Sequence, residues 1–335
     1  MSIIRSVRRA LKNIVFGDTL LPQEFSIGLV APQSEIAVWL NGMGTERDIT
    51  HRHSTACSAP FVICIAFDQD ATPNENELKH LSLKFCEKDG QRRLLGEIGL
   101  KLATTVSPIS PELLFFEARS SANYCMPGLR LGAHYLLHAY SRRGKANTSR
   151  MEMSFLERRA AVVSFIRPHP TSVVSLADEA GGNIFIMNLL GELGGGRFAF
   201  GLKDSRKPAH LVERVRRIAV SSVPFSQGTV AFQLAANHFR ESIDWDQLPF
   251  ATKRSANFNF PVPDFALRVR EMEVETVRKI GSHTFFIARI IGEESFADEE
   301  ELHVVHGFYQ ALRLKGQSAA LQASIGKDSV NKRGF

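Results

Sequence analysis

The chain has little of what would announce a chemistry outright. Its four cysteines, Cys57, Cys64, Cys86 and Cys125, stand far apart. They form neither a CxxC pair nor a disulfide framework, and the apolar or β-like surroundings of three of them predict buried free thiols. No apolar run approaches the roughly 18 residues that span a bilayer. Charge of one sign is also scarce: 41 basic residues against 35 acidic give +6, which suits anionic small molecules as well as it suits nucleic acid. No nucleic-acid partner is expected. With no secretory signal, a cytoplasmic location is the expectation. His51 and His53, with Cys57 close by, lack acidic companions for a metal. His134 and His138 have metalloprotease spacing, but Tyr135 stands where the general-base Glu belongs. No metal is expected. Gly191 and Gly194 to Gly196 lack the Gly-x-Gly-x-x-Gly spacing of a dinucleotide fingerprint and read as a wide turn.

What is present is a globular composition, 44% hydrophobic and 23% charged, long enough for two domains of ordinary size. Residues 1–20 read as a basic amphipathic helix: Ile3, Ile4, Val7, Leu11 and Ile14 share a face, with Arg5, Arg8, Arg9 and Lys12 around it. Docking on its own domain is favoured over peripheral membrane contact through residues 3–14. Residues 21–140 alternate as short strands between turn signals and form a β-rich domain of unknown role. Pro111 to Phe116 reads as either a strand or a helix start. Residues 141–150 are polar and basic, an interdomain connection. Ser149 with Glu152 has capping-box spacing for a short helix running through Glu157. From Ala160 to Ile166 the β pattern resumes. The second domain spans 151–316, and 317–335 is a polar tail.

The stretch Val173 to Ser222 concentrates the interest. Three apolar strands, with Asn183 and Asn188 as polar exceptions on the second, lead into the cationic string Lys203-Asp-Ser-Arg-Lys207 and then a helix. Polar groups at the mouths of apolar strands beside a basic loop suit a flat ligand carrying a phosphate. Downstream, residues 246–264 read as a long irregular binding loop or lid. Phe265 to Glu275 and His283 to Ile291 read as strands on either side of a Gly281-Ser282 turn.

Three pieces resemble the flavin reductase-like, FMN-binding split-barrel family. They are Arg167-Pro-His-Pro170 with Val173 to Leu176 and Gly182-Asn183; Phe185 to Leu189 leading through Phe198 to Leu202 and on to Ser205-Arg206; and Ile280 to Ile287, with His306-Gly-Phe-Tyr309 where a closing strand is usual. Ser282 replaces the family's usual Asp, and Met187-Asn188-Leu189 replaces a small Ser/Thr-rich run. The resemblance implies a mainly β fold, a β-barrel with short helices: an FMN-binding split barrel preceded by a second β-rich domain. Ile49-Thr50 through Ser54 to Pro60-Phe61 echoes the same strand-turn pattern, so a degenerate second barrel is an alternative for the first domain.

The resemblance further implies FMN, favoured over FAD, as cofactor and NAD(P)H as co-substrate. Lys203, Ser205, Arg206 and Lys207 would hold the phosphate. Asn183, Met187, Asn188 and Leu189 would meet the ring edge, and His283 would stand near flavin and nicotinamide as the catalytic residue. The expected function is an NAD(P)H:flavin oxidoreductase supplying a partner monooxygenase or other electron acceptor, as a homodimer. The alternatives are a flavoenzyme using tightly bound FMN on a substrate shaped by the first domain, or a non-catalytic binding module.

Overall fold

The computed structural model describes residues 24–30, 35–88, 91–106, 112–142 and 153–315. The expected helix 1–20, the tail 317–335 and most of the connection 141–150 lie outside them. Residues 141 and 142 end a helix, Gly128–Arg142.

The first part of the chain supplies β1 (Glu24–Leu29), β2 (Ile36–Asn41), β3 (Arg47–Asp48), β4 (His53–Ser58), β5 (Phe61–Phe67), β6 (Ser82–Glu87), β7 (Leu94–Val106) and β8 (Glu112–Asn123). The second supplies β9 (His169–Pro170), β10 (Ser172–Asp178), β11 (Gly181–Met187), β12 (Leu190–Gly194), β13 (Arg197–Lys203), β14 (Arg217–Ser222), β15 (Thr252–Arg254), β16 (Pro261–Pro263), β17 (Arg268–Ile280), β18 (His283–Ser295) and β19 (Glu301–His306). Two seven-stranded antiparallel sheets result, ordered β3-β2-β6-β7-β8-β5-β4 and β11-β10-β14-β17-β18-β13-β12. The molecule is mainly β, with a half-barrel sheet and short helices.

Apolar residues two apart on a strand share one core. Ile36, Val38 and Leu40 of β2 all bury their side chains in the core of the first sheet. Phe198, Phe200 and Leu202 of β13 bury theirs in the core of the second. Each such side chain contributes about 1.5–3 kcal/mol by leaving water. A third cluster joins the two sheets, with Ala56, Cys57 and Phe115 packed on Ala199, Phe285 and Ile287. All four cysteines are buried and free.

The structure corrects three local expectations. Ala160 to Ile166 is not a strand: Phe155–Ser164 is a helix. Its N-cap is Ser154; Ser149, the expected cap of a helix through Glu157, lies outside the described residues. Ser154 Oγ accepts from the Glu157 amide at 3.2 Å, and Glu157 Oε2 accepts from the Ser154 amide at 2.5 Å. A seven-residue apolar run does not distinguish the two periods; here Ala160, Val163 and Ile166 present one buried face. That face meets β7 where a Cβ on Gly96 would lie 2.7 Å from Val163 Cγ1 and from Ile166 Cδ1. Second, β19 stops at His306, whose side chain accepts from the Phe308 amide at 3.1 Å and starts the helix Gly307–Arg313. Gly307, Phe308 and Tyr309 are therefore helical, and β19 joins β1 and β9 in a separate three-stranded sheet. Phe308 and Tyr309 pack in the first core, and Arg313 pairs with Glu35 at 2.7 Å. Segments beyond 150 thus complete the core of the first sheet.

Third, residues 246–264 are not irregular throughout, because β15 and β16 pair within them. Glu271 anchors the excursion. Its buried carboxylate accepts from Ser255 Oγ at 2.7 Å, the Asn257 amide at 2.7 Å and Nδ2 at 2.6 Å, and the Phe258 amide at 2.5 Å. Glu271→Ala strands these donors, at roughly 1–3 kcal/mol for each one left buried. Urea unfolding is expected to show a loss of about 3 kcal/mol.

Candidate functional site

β4 lies against β12, β13 and the start of β18, and glycines permit the approach. A Cβ on Gly191 would stand 2.5 Å from the His53 carbonyl oxygen. One on Gly201 would stand 2.7 Å from that of Ala56. Gly281, at φ 55°, is pressed onto the Ala59-Pro60 turn, and the Ser282 amide donates to the Ala59 carbonyl at 3.0 Å.

Two cavities open beside this seam. One, of about 370 Å³, has a floor of Thr55, Ser58 and Phe61 from the first sheet. Tyr135, Phe155 and Phe165 give it aromatic walls, and His134, Arg158 and His306 stand at its margin. The other, of about 410 Å³, lies over β11 and β13, lined by Thr171, Ile186, Met187, Gly201, Leu202, Arg206, Phe232, Ala235, His238 and Phe239. Asn188, Leu189, Lys203 and His283 line both, so the cavities meet at these four residues.

His283, 2% exposed, begins β18 opposite Lys203. Its Nδ1 lies 2.9 Å from Ser282 Oγ and 3.3 Å from Cys57 Sγ. Burial, reinforced by the Lys203 charge, pushes its pKa down to about 4. The imidazole is therefore neutral at pH 7 and acts there by hydrogen bonding, without a charge of its own.

The cationic string divides by partner. Lys207 pairs with Glu241 and lines neither cavity, and exposed Ser205 lines neither. Lys203 and Arg206 face the cavities and have no carboxylate partner among the described residues. The Arg206 guanidinium sits 3.7 Å from the centroid of the Phe239 ring, and Arg206 is also the N-cap of the helix Lys207–Val215. Arg206 makes no side-chain cap hydrogen bond to that helix's first amides, an arrangement of helix terminus and cations that could receive an anion. Thr171 lines the same cavity, and its Oγ1 is fully buried with no hydrogen-bond partner among the described residues.

Of the expected residues, Met187, Asn188, Leu189, Lys203, Arg206 and His283 come together. Asn183 does not. It is wholly buried, and its Nδ2 donates to the carbonyls of Asn237 at 3.1 Å and Arg240 at 2.7 Å, fastening the 3₁₀ turn Leu234–Phe239 to β11. His51 Nδ1 meets Glu192 Oε2 at 2.9 Å, and His53 Nδ1 meets the Ile49 carbonyl at 2.7 Å. Thr55, Ser58, Phe61, Phe155 and Arg158 carried no signal, because only docking brings them to the site. The spacing of His134 and His138 points only toward metal ligation, whereas the structure puts His134 on the cavity lining.

No protein-family model matches the sequence, and no curated protein sequence does. Among solved structures, the chain is similar to the FMN-binding protein of Thermus thermophilus with bound 1-cyclohex-2-enone. Identity there is 23%, over 38% of this chain and 71% of that one, with a TM-score of 0.35. It is similar to the NADH:FAD oxidoreductase of Streptomyces globisporus at 16% identity, over 44% and 87%, TM-score 0.39. The styrene monooxygenase flavin reductase of Pseudomonas putida gives 22%, over 40% and 86%, TM-score 0.35. These are flavin reductase and FMN-binding split-barrel proteins, and the likeness covers about 40% of this chain.

Proposed function

We propose that the chain binds FMN and acts as an NAD(P)H:flavin oxidoreductase. The observation that carries this reading is the joined pair of cavities, with Lys203 at their junction and Arg206 in one, neither with a carboxylate partner among the described residues, and aromatic walls in the other. Lys203, Arg206 and the uncapped helix terminus fit a phosphate. Residues 187–189 offer backbone N–H and C=O groups to the edge of a flat heterocycle. The volumes, about 410 and 370 Å³, suit two small organic ligands meeting at His283.

A bound flavin would supply a two-electron acceptor for hydride from a nicotinamide. The chain's own work is positioning. Phe155, Phe165 and Tyr135 would exclude water from one face of the junction. Neutral His283, steered through Nδ1 by Ser282 and Cys57, would present its other ring nitrogen to the reactants as a hydrogen-bonding group. The cavity floor of Thr55, Ser58 and Phe61, with Arg158 beside it, favours a second reading in which tightly held FMN acts on another substrate seated there. Anaerobic mixing with NADH and NADPH separates the two: rapid bleaching with turnover of free FMN supports the reductase, and bound flavin that neither nucleotide reduces overturns it.

Arg206→Ala is expected to weaken FMN binding roughly 10- to 100-fold, the worth of a charge-assisted hydrogen bond. Lys207→Ala removes only an exposed ion pair and should leave affinity within about twofold. Fluorescence titration of both variants checks the assignment; equal losses would place the phosphate elsewhere.

A further inference from the structure

The two seven-stranded sheets correspond strand for strand. Replacing β2 through β8 by β10 through β14, β17 and β18, in order, converts one strand order into the other. The match extends to register. In the β7–β8 hairpin the pairs Gly99↔Ser120, Leu100↔Ala118, Leu102↔Phe116 and Thr104↔Phe115 flank two bulges. In β17–β18 the pairs Glu271↔Gly292, Met272↔Ile290, Val274↔Ala288 and Thr276↔Ile287 flank two bulges at the same steps. One constant shift in numbering carries the first set onto the second. The β4–β5 hairpin has a bulge between Thr55 and Cys57, and β12–β13 has its own between Glu192 and Gly194, again at the corresponding step. Bulges are specific local irregularities, and three matching ones in matching register do not follow from sheet topology alone.

We infer that the chain is a duplicated split-barrel unit docked on itself, in which the first copy serves as the second wall of a single ligand site and the symmetry-related site has been closed. The ligand named here, FMN, rests on the reading above; the duplication does not. The β4–β5 and β12–β13 registers equate Thr55 with Glu192. Thr55 faces the open cavity. Its counterpart Glu192 bonds His51 across the seam at 2.9 Å. The anion seat is lost as well. Pairing equates Phe67 with Leu202, so Asp68 stands where Lys203 does and Ala71 where Arg206 does. Asp68 is tied to Arg52 at 2.6 Å. The nine-residue helix Lys207–Val215 is replaced by the 3₁₀ turn Gln69–Ala71 and the four-residue helix Glu75–Leu78. The first copy retains the barrel and the docking face without the phosphate seat. A homodimer is then unnecessary for a complete site.

The test uses the full chain. Light scattering without ligand should give a particle of 37.3 kDa, and titration should give one FMN per monomer. Two FMN per chain, or binding confined to a dimeric fraction, overturns the proposal. Ser58→Trp, which intrudes on the open cavity from the first copy, should weaken FMN at least about tenfold by overpacking it. Glu192→Ala, on the closed side, should leave affinity within about twofold. The reverse pattern overturns the asymmetry, and near-ultraviolet circular dichroism of both variants reports whether the fold persists. If the wild-type chain binds no FMN, the flavin reading falls. The ligand-free mass then decides the self-docking account, an obligate dimer refuting it and a stable monomer supporting it.

Discussion

Gly201→Val is expected to lower folding stability by about 3 kcal/mol and to abolish saturable FMN binding together. The Cβ alone would stand 2.7 Å from the Ala56 carbonyl oxygen, and 3.7 Å from His283 Cδ2. A backbone oxygen cannot swing aside as a side-chain tip does, so β13 and β4 must part. Parting them moves Cys57, which steers His283, and opens the cavity floor at Thr55. Gly132→Ala is the matched control: nothing lies within 4 Å of its Cβ, it sits in the helix Gly128–Arg142, and alanine there should be stabilising by roughly 0.5–1 kcal/mol. Urea unfolding and FMN titration of both variants test the seam; unchanged binding in Gly201→Val would detach the site from it.

Acid should weaken the fold over a defined window. Burial pushes the pKa of His283 down to about 4 and that of His169 to about 3, in each case aided by a neighbouring cation, Lys203 and Arg167 respectively. His53 and His303 are lowered as well, burial being the leading cause. In the unfolded chain a histidine takes its proton near pH 6.5. Below that pH the unfolded state therefore binds more protons than the native one, and stability falls as pH falls until the folded-state pKa values are reached. At pH 5, His283 and His169 each cost roughly 2 kcal/mol relative to full neutrality, about 4 kcal/mol together. Urea unfolding at pH 7, 6 and 5 should show the loss growing steadily across that range. A flat profile would mean that these imidazoles are not held neutral.

How much of this the sequence carries depends on the range of the interaction. Strands such as β11 and β13 follow from the local apolar runs on either side of the glycine turn. The segment from Lys203 to Arg206 is legible for a similar reason: an apolar strand, a cationic turn and a helix start are contiguous. Ala160 to Ile166 failed because its cap, Ser154 with Glu157, lay beyond the Ser149 signal, and because a short apolar run suits either period. Asn183 failed differently. A buried amide on an apolar strand looks the same whether it faces a ligand or fastens a neighbouring turn, and here it fastens one. Thr55, Ser58 and Phe61 could not be found by inspection of their own segment, since the second sheet alone gives them a role. The echo between residues 49–61 and the later strands was the available clue to that docking.

The most direct test of the functional account is anaerobic mixing of the FMN-loaded chain with NADH and with NADPH, followed by visible absorbance. The account predicts that the flavin absorbance bleaches rapidly with at least one nucleotide and that the chain then turns over with added free FMN. A chain that takes up no FMN, or one whose bound flavin keeps its absorbance with both nucleotides, would contradict it.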